Sequence, residues 1–210
     1  MFGGFGVPGT PFYLINGLLE KGVSEITLVK NEANEAGIGV SKLIENGLVR
    51  KIITSHLGLN GKVIEMMNKG EVEVAFYPQG ILAEKIRAGG AGHMGFVTDI
   101  GIDTIISRDK RIIEVNGEKG VFEPSLRADI AFIHACCADR YGNLIYEKSA
   151  RNFNPIMAMA ADIVIAEAEE IIETGELDPD RIHTPGCFVD YVVKIPEISQ
   201  EYGVLAHHVV

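Results

Sequence analysis

The sequence predicts an α/β fold in which a mainly parallel sheet is flanked by helices. Two observations support this fold class. Short runs rich in Val and Ile alternate with helical segments of roughly ten residues, which is the pattern of parallel-sheet proteins. Several of these runs are apolar on both faces, as expected for strands that helices cover from both sides. Glycine is abundant, at 24 of 210 residues, and marks the breaks between segments.

The helices are predicted from apolar spacing and from the residues at their ends. In residues 11–21, Phe12, Ile15 and Leu18 share one face, and Pro11 suits the first helical turn. Gly22 then provides a stop. The other helical segments are residues 40–45, 81–88 and 155–161.

The strands are predicted where Val and Ile concentrate. Residues 109–123 are more polar and contain the turn signal Asn116-Gly117, so they are expected to form a small β excursion. Residues 139–143 are expected to turn between two antiparallel strands. The predicted strands are residues 26–29, 51–57, 71–77, 112–115, 129–135, 162–167 and 188–193. Because the chain shows no repeat, linker or low-complexity tract, residues 1–210 are expected to form a single domain.

The composition excludes several classes of protein. Asp and Glu number 29 against 19 Lys and Arg, and the net charge of −10 argues against a nucleic-acid binder and against a polybasic membrane anchor. The sequence has neither a run of roughly 18 apolar residues nor a signal-peptide pattern. Its three irregularly spaced cysteines fit neither a disulfide framework nor a zinc site. We therefore expect a cytoplasmic protein with no nucleic-acid, membrane or metal partner.

The first candidate site is a glycine-rich loop directly before the first helix. Backbone N–H groups in such a loop can approach an anion closely, and the following helix N-terminus adds a favourable field. The spacing is neither a dinucleotide fingerprint nor a phosphate-binding P-loop, and a tight corner without a ligand is the alternative. The loop consists of Gly3, Gly4, Phe5, Gly6, Val7, Pro8 and Gly9.

The second candidate is Gln79, in the sequence Tyr77-Pro78-Gln79-Gly80. It follows a predicted strand and precedes a helix, and parallel α/β sheets bind ligands at the carboxyl ends of their strands. Its amide could donate a hydrogen bond to an oxyanion. The alternative is a capping or turn glutamine. Arg87, one helical turn beyond Glu84, could bind a phosphate or simply pair with that glutamate.

Three further motifs have simpler structural interpretations. Residues 149–155 could hold a polar ligand, although helix capping by Asn154 with Pro155 at the first helical position explains part of the pattern. His183 lies in a turn without a second ligand at metal spacing. Glu45 could be a carboxylate nucleophile on a sharp turn, but Asn46-Gly47 after a helix is more typical of a helix stop.

Taken together, these segments closely resemble the α subunit of family I CoA-transferases of the acetate and 3-oxoacid type. The matching segments occur in the family's order and cover nearly the whole chain. They are Gly3-Gly4-Phe5 with Gly9 and Pro11, Pro78-Gln79-Gly80, residues 83–92, residues 150–155, and His183-Thr184-Pro185-Gly186.

The resemblance implies a fold related to ribose-5-phosphate isomerase and an α2β2 enzyme whose β subunit supplies the catalytic glutamate. That glutamate attacks an acyl-CoA thioester to give a mixed anhydride and CoA thiolate, and the thiolate returns to form a glutamyl-CoA thioester. The acids are acetate, butyrate or acetoacetate, with succinyl-CoA:3-oxoacid transfer as the main alternative. Coenzyme A is then a substrate, and no permanently bound cofactor is implied.

The resemblance also bears on individual residues. The loop of residues 3–9 matches the family's CoA-contacting loop, and Glu45 does not correspond to the catalytic glutamate. Gln79 is our candidate for an oxyanion donor, since losing one preorganised donor typically costs about 100- to 1000-fold in rate.

The chain departs from the family pattern in two places. Family members have about twenty residues ahead of the Gly-Gly-Phe loop, forming a helix and an apolar strand, whereas here the loop begins at Gly3 and that strand is absent. His93-Met94 and Asp99 stand where relatives often have other residues, and this difference is expected to bear on acyl-chain preference. Two rivals share the fold. A sugar-phosphate isomerase would need acid–base and phosphate-binding residues, and this sequence has no convincing set of them. A ligand-sensing domain of this fold would be fused to a DNA-binding motif, and this sequence contains nothing that resembles one.

Overall fold

The computed structural model describes residues 1–207, in which helices and strands alternate as the sequence predicts. The first half consists of α1 (Phe12–Lys21), β1 (Ile26–Val29), α2 (Val40–Glu45), β2 (Val49–Thr54), α3 (Gly61–Lys69), β3 (Glu73–Phe76) and α4 (Gln79–Gly90). The second half consists of β4 (Gly95–Thr98), β5 (Ile112–Val115), β6 (Glu118–Pro124), β7 (Ala128–Asp139), β8 (Leu144–Ile145), α5 (Asn154–Met159), β9 (Ala161–Ile172) and β10 (Tyr191–Lys194), with short 3-10 segments at Lys148–Arg151, Pro179–Arg181, Gly186–Phe188 and Gln200–His207.

The strands form a mainly parallel sheet in two adjoining parts. The order β1-β2-β3 is parallel throughout, and in the order β10-β9-β7-β8 only the short β8 is antiparallel. The first residues of the chain join the two parts, because Phe2 N donates to Val29 O at 2.9 Å and Gly3 N donates to Phe132 O at 2.8 Å. Phe2 also stacks on Phe132, with ring centroids 5.2 Å apart. The predicted parallel sheet is confirmed.

The β excursion is larger than predicted. Strands β4, β6 and β5 form a separate antiparallel sheet, so the excursion begins at Gly95 and not at residue 109. The predicted turn between β7 and β8 is confirmed. There the Asp139 side chain accepts from Tyr141 N and Asn143 N, each at 2.9 Å, which fixes the turn.

One helix and parts of two strands escaped prediction. Helix α3 begins after Asn60, whose side chain accepts from Val63 N at 3.0 Å. Val63 is the helix's one buried residue, and Ile64, Met66 and Met67 pack partly buried against the same apolar cluster. Strands β7 and β9 continue to Asp139 and Ile172, past their predicted ends, because their polar residues find partners within the fold.

Two apolar clusters lie beneath the sheet's two parts. The first surrounds β1 and β2 with α1, α2 and α3, and includes Ile15, Leu28 and Ile52. The second surrounds β7 and β9 with α4 and α5, and includes Leu82 and Ile133. Each fully buried Leu or Ile contributes roughly 1.5–3 kcal/mol relative to exposure. Within residues 1–207, no helix combines the length and apolar character required to cross a membrane.

Candidate active site

The glycine loop has a backbone conformation that only glycine accommodates easily. Gly4, Gly6 and Gly9 have positive φ angles of 94°, 60° and 74°. A Cβ atom on Gly3 would lie 1.7 Å from Asn154 Oδ1, and one on Gly4 would lie 2.5 Å from the Thr10 hydroxyl oxygen. Gly3 and Gly4 are therefore required by packing, while Gly6 is required by φ alone.

The loop's carbonyl oxygens are turned into the protein and bonded there. Gly6 O accepts hydrogen bonds from Thr10 Oγ1 at 2.6 Å, Asn34 Nδ2 at 2.8 Å and Lys30 Nζ at 3.2 Å. Pro8 O accepts from Asn152 Nδ2 at 2.9 Å. Hydrogen bonds from polar side chains of the protein interior thus hold the loop in place.

Three of the loop's amide groups have no hydrogen-bond acceptor within residues 1–207. Gly6 N donates to Asn31 Oδ1 at 3.3 Å, and Phe5 N donates to Pro8 O within the loop. Among residues 1–207, no acceptor is found for the N–H groups of Gly4, Val7 and Gly9. Gly4, Val7 and Gly9 are themselves buried, so these unpaired donors lie beneath the exposed Phe5 at the loop's outer surface.

The loop lies beside the carboxyl end of β1, and β2 and β3 end at the same end of the sheet. Asn31, which holds Gly6, directly follows β1, and its carbonyl accepts from Ser55 N at 3.1 Å at the end of β2. The Ser55 hydroxyl contacts both Asn31 O, at 2.7 Å, and Gln79 Oε1. The structure therefore places both predicted sites, the loop and Gln79, at one edge of the sheet.

Gln79 is the first residue of α4, and its side-chain amide contacts the Ser55 hydroxyl. That hydroxyl also contacts Asn31 O and has a single hydrogen to donate, so its contact with Gln79 does not by itself orient the Oε1 and Nε2 groups of the amide. In the part of the chain that the structure describes, no partner is found for this Nε2 group. The role of Gln79 as an oxyanion donor stays a prediction.

The motif at residues 149–155 supports the loop in a way that the sequence did not predict. Asn154 does not cap α5, because the N-cap residue is Phe153 and has no capping side chain. Its Nδ2 donates instead to Gly9 O at 3.1 Å and to Ala150 O at 2.7 Å, while its Oδ1 accepts from His134 N at 3.2 Å. The capping interpretation is wrong, since the amide is fully buried and needed for the loop.

The glycines after Arg87 also have a structural role. Gly89 and Gly90 belong to α4 and do not form a ligand loop, because a Cβ atom there would lie 2.3 Å from Leu126 O or 2.7 Å from the Met159 side chain. Arg87 pairs with Glu84 at 2.6 Å, as the simpler alternative proposed.

A titratable cluster beside the loop escaped the sequence analysis. His134 on β7 is buried between two carboxylates of β9, with Nδ1 2.9 Å from Glu167 and Nε2 3.1 Å from Glu169. Glu167 also accepts from Leu14 N at 2.9 Å, in the first turn of α1. The sequence feature that could have revealed this cluster is the pair Glu167 and Glu169. They occupy alternate positions of one strand and therefore lie on the same face of the sheet. A cavity of about 220 Å³ separates this cluster from Pro8 and Gly9.

Glu45 and His183 have structural partners. Glu45 accepts from Lys62 Nζ at 2.7 Å, Ser41 Oγ at 2.6 Å and Gly37 N at 2.8 Å. Although partial burial opposes it, these hydrogen bonds hold the pKa of Glu45 below its usual value.

The Nδ1 atom of His183 accepts from Tyr146 N at 3.0 Å, and burial lowers the pKa of this histidine. Within residues 1–207 no group of three or more His, Cys, Asp or Glu side chains could hold a metal ion.

Comparison with known proteins gives a consistent set of relatives. The family model described as "Coenzyme A transferase" matches residues 1–195. The chain is 46% identical to the alpha subunit of acetate CoA-transferase from Escherichia coli K12, over 96% of this chain and 90% of that protein. It is 49% identical to the alpha subunit of a probable coenzyme A transferase from Bacillus subtilis, over 97% and 89%. It is 43% identical to one subunit of the succinyl-CoA:3-ketoacid coenzyme A transferase of Helicobacter pylori, over 92% and 84%.

Solved structures show the same fold. An acyl-CoA transferase from E. coli O157:H7, in a thioester complex with CoA, superposes with a TM-score of 0.82 at 23% identity, over 91% of this chain and 42% of that one. This chain therefore spans about two fifths of the length of that transferase. Glutaconate coenzyme A-transferase from Acidaminococcus fermentans gives a TM-score of 0.82 at 22% identity, over 96% and 70%. By its family match and its similarity to relatives more than 40% identical along nearly their whole length, the chain belongs to the coenzyme A transferase family.

Proposed function

We propose that this chain is the α subunit of an enzyme that transfers CoA between an acyl-CoA and a short-chain carboxylate or 3-oxoacid. The observation that carries the proposal is the glycine loop, in which the amides of Gly4, Val7 and Gly9 have no partner among residues 1–207, at the same end of the sheet as Gln79. The subunit names of relatives at 46–49% identity support it. In this proposal the partner is a β subunit, the assembly is α2β2, and the enzyme works in the cytoplasm, where its free cysteines stay reduced.

In this mechanism the nucleophile is a glutamate of the β subunit. Its carboxylate attacks the acyl-CoA carbonyl, and collapse of the tetrahedral intermediate breaks the C–S bond to release CoA thiolate and a mixed anhydride. The thiolate then attacks the glutamyl carbonyl, which releases the first acid and leaves a glutamyl-CoA thioester. The acceptor carboxylate reverses both steps. No electrons are exchanged, because one activated acyl bond replaces another.

The loop's part is to bind the anionic CoA substrate. The net charge of −10 makes the chain repel a polyanion at long range, so attraction has to be local. The three free amides of the loop supply local donors, and Phe5, which is 51% exposed, adds an apolar surface next to them. Neither the loop amides nor the Phe5 ring requires a bound cofactor.

Replacing Gln79 with alanine should lower kcat more than it raises the Kd for CoA. The reason is that an oxyanion donor acts on the tetrahedral intermediates, and one such donor is typically worth about 100- to 1000-fold in kcat. Steady-state kinetics of the assembled enzyme, together with a CoA binding titration, would measure the two effects. Replacing Glu84, which pairs with Arg87 on the same helix, serves as the matched control. An unchanged kcat in Gln79→Ala would remove this residue from the mechanism.

The purified chain alone should transfer no CoA, and adding its β partner should restore transfer. The test is a CoA-exchange assay with acetyl-CoA over acetate, butyrate, acetoacetate and succinate as acceptors. Glu45→Gln is the key variant, because the Glu45 carboxylate is already bonded to Lys62 and Ser41, and its loss should leave the assembled enzyme's kcat nearly unchanged. Turnover by the lone chain that disappears in Glu45→Gln would contradict the proposal.

A second candidate, succinyl-CoA:3-oxoacid transfer, is favoured by relatives of that name at 43–48% identity. It shares every step above and differs only in the acids. The same acceptor panel separates the two, since a preference for succinate and acetoacetate over acetate and butyrate would select it.

A further inference from the structure

Lys30 is the most unusual group beneath the loop. It follows β1 directly, and its side chain is fully buried, which is rare for lysine. Its Nζ contacts three oxygen atoms of the loop segment: Gly3 O at 3.1 Å, Gly6 O at 3.2 Å and Thr10 Oγ1 at 3.0 Å. All three partners are neutral, and together they lie at both ends and in the middle of the loop.

The three contacts of this lysine have the hydrogen-bond pattern of its ammonium form. The two carbonyl oxygens can only accept. The one hydroxyl hydrogen of Thr10 goes to Gly6 O at 2.6 Å, so the hydroxyl oxygen has to accept from Lys30 as well. Three donated hydrogen bonds require three N–H hydrogens, which only the ammonium form carries. A neutral amine would lose one of the three anchors.

We propose that Lys30 is the positioning residue of the CoA-binding loop. Its ammonium group draws the carbonyls of Gly3 and Gly6 inward, and this leaves the amides of Gly4 and Val7 available to the ligand. Its positive charge also lies directly under a segment that binds an anion, which offsets the acidity of the chain locally. The inference rests on the proposed function, because it assumes that the loop binds CoA.

The surroundings make this anchor sensitive to pH. Burial lowers the pKa of Lys30 to about 7, and the nearby Glu32 carboxylate opposes that shift. The anchor therefore loses its third hydrogen bond as the pH rises above neutrality. The titratable groups on the elements around this cluster are Glu32 on its own segment, His56 after β2, His134 and Glu167 on β7 and β9, and Tyr202 in the last 3-10 segment.

The test compares Lys30→Met with Lys21→Met in the assembled α and β enzyme. Both variants remove one positive charge, but Lys21 is exposed at the far end of α1. Lys30→Met should raise the KM and the Kd for acetyl-CoA roughly 10- to 100-fold, the loss expected for hydrogen bonds to a charged group, with kcat nearly unchanged. Lys21→Met should change neither. Equal behaviour of the two variants would overturn the proposal.

A pH series provides a readout that a merely structural lysine would not move. Between pH 6 and 8.5, acetyl-CoA affinity of the wild type should fall relative to Lys30→Met, because only the wild type loses an anchor. The stability difference should move in the opposite direction. The folded pKa lies below the unfolded value of 10.5, so above pH 7 the unfolded wild type binds more protons and folding is favoured as pH rises. Parallel changes in affinity and stability would contradict the assignment.

Folding of the variants has to be checked by thermal unfolding. Should Lys30→Met fail to fold, Thr10→Val provides the second variant, since it keeps the lysine and the side-chain shape and removes the hydroxyl's bonds to Lys30 and to Gly6 O. It should raise the Kd for acetyl-CoA by a smaller factor in the same direction, and an unchanged Kd would overturn the proposal.

If Gly3→Ala abolishes CoA binding while Lys30→Met does not, the Lys30 assignment fails and the loop's function stands. If neither variant affects CoA binding, the loop is not the CoA site and the proposed function itself fails.

Discussion

Replacing Gly3 with alanine is expected to abolish CoA binding and to lower the free energy of unfolding by at least about 3 kcal/mol. The new Cβ atom would lie 1.7 Å from Asn154 Oδ1, far inside van der Waals contact. Asn154 cannot move away cheaply, because it is fully buried and bonded to Gly9 O and His134 N. The loop or its support therefore has to shift.

Two other glycines provide graded controls for this prediction. Gly6→Ala meets only Glu32 Oε1, at 3.6 Å, so its penalty is that of a left-handed φ, about 1–2 kcal/mol. Gly17→Ala lies on the exposed face of α1 with open space around it and should stabilise the helix by roughly 0.5–1 kcal/mol. Urea unfolding and an acetyl-CoA titration measure both quantities. A Gly3→Ala variant as stable as Gly6→Ala would show that Asn154 does not support the loop.

Replacing Glu123 with alanine is expected to cost about 3–5 kcal/mol of folding stability. Glu123 on β6 is buried and accepts from Lys85 Nζ at 3.2 Å and from Lys110. Lys85 on α4 is itself buried, and burial lowers its pKa while Glu123 counteracts that shift. Removing the carboxylate leaves a buried ammonium whose remaining contact is the Tyr77 ring, 4.7 Å away.

The matched control for this prediction is Glu65→Ala. Glu65 pairs with Lys69 at 2.7 Å on the exposed face of α3, and such surface pairs contribute little to folding stability. The double variant Lys85→Met with Glu123→Met should recover most of the lost stability, because apolar pairs often replace buried ion pairs without penalty. Urea unfolding of all four proteins tests the idea. If Glu123→Ala is no more harmful than Glu65→Ala, the network does not hold the antiparallel sheet to α4.

The parts of the fold that the sequence predicted are those that depend on local pattern. The runs of Val and Ile at β1 and β5 matched the observed strands, since burial on a sheet favours those residues. The glycines and the proline of residues 3–9 indicated the loop as a candidate site. The position of Gln79 directly after a predicted strand indicated the second candidate site. Helix α3 was missed although Val63, Met66 and Met67 have the spacing of an apolar helix face. The antiparallel sheet was underestimated because its first strand, β4, begins at Gly95, directly after a glycine-rich segment.

The support of the site could not be predicted in the same way. Lys30, Asn31 and Asn34 form a polar run after an apolar strand, and that run was the available signal. Its meaning depends on a loop more than twenty residues earlier in the chain, which periodicity cannot connect to it. Asn154 was misinterpreted for the same reason. Its neighbour Pro155 suggested a local helix cap, whereas its partners lie at Gly9 and His134.

The attachment of the loop to the rest of the chain has a consequence for biosynthesis. Asn152 and Asn154 bond Pro8 and Gly9 across 144 and 145 positions of sequence, and Phe2 pairs with Phe132. At translation rates of roughly 5–20 residues per second, the loop waits on the order of ten seconds for those partners to emerge. During that interval β1, β2 and β3 can form beside an unanchored loop. The loop is therefore among the last segments to reach its native position, and a nascent chain stalled before residue 152 has a partial sheet whose glycine loop lacks its support.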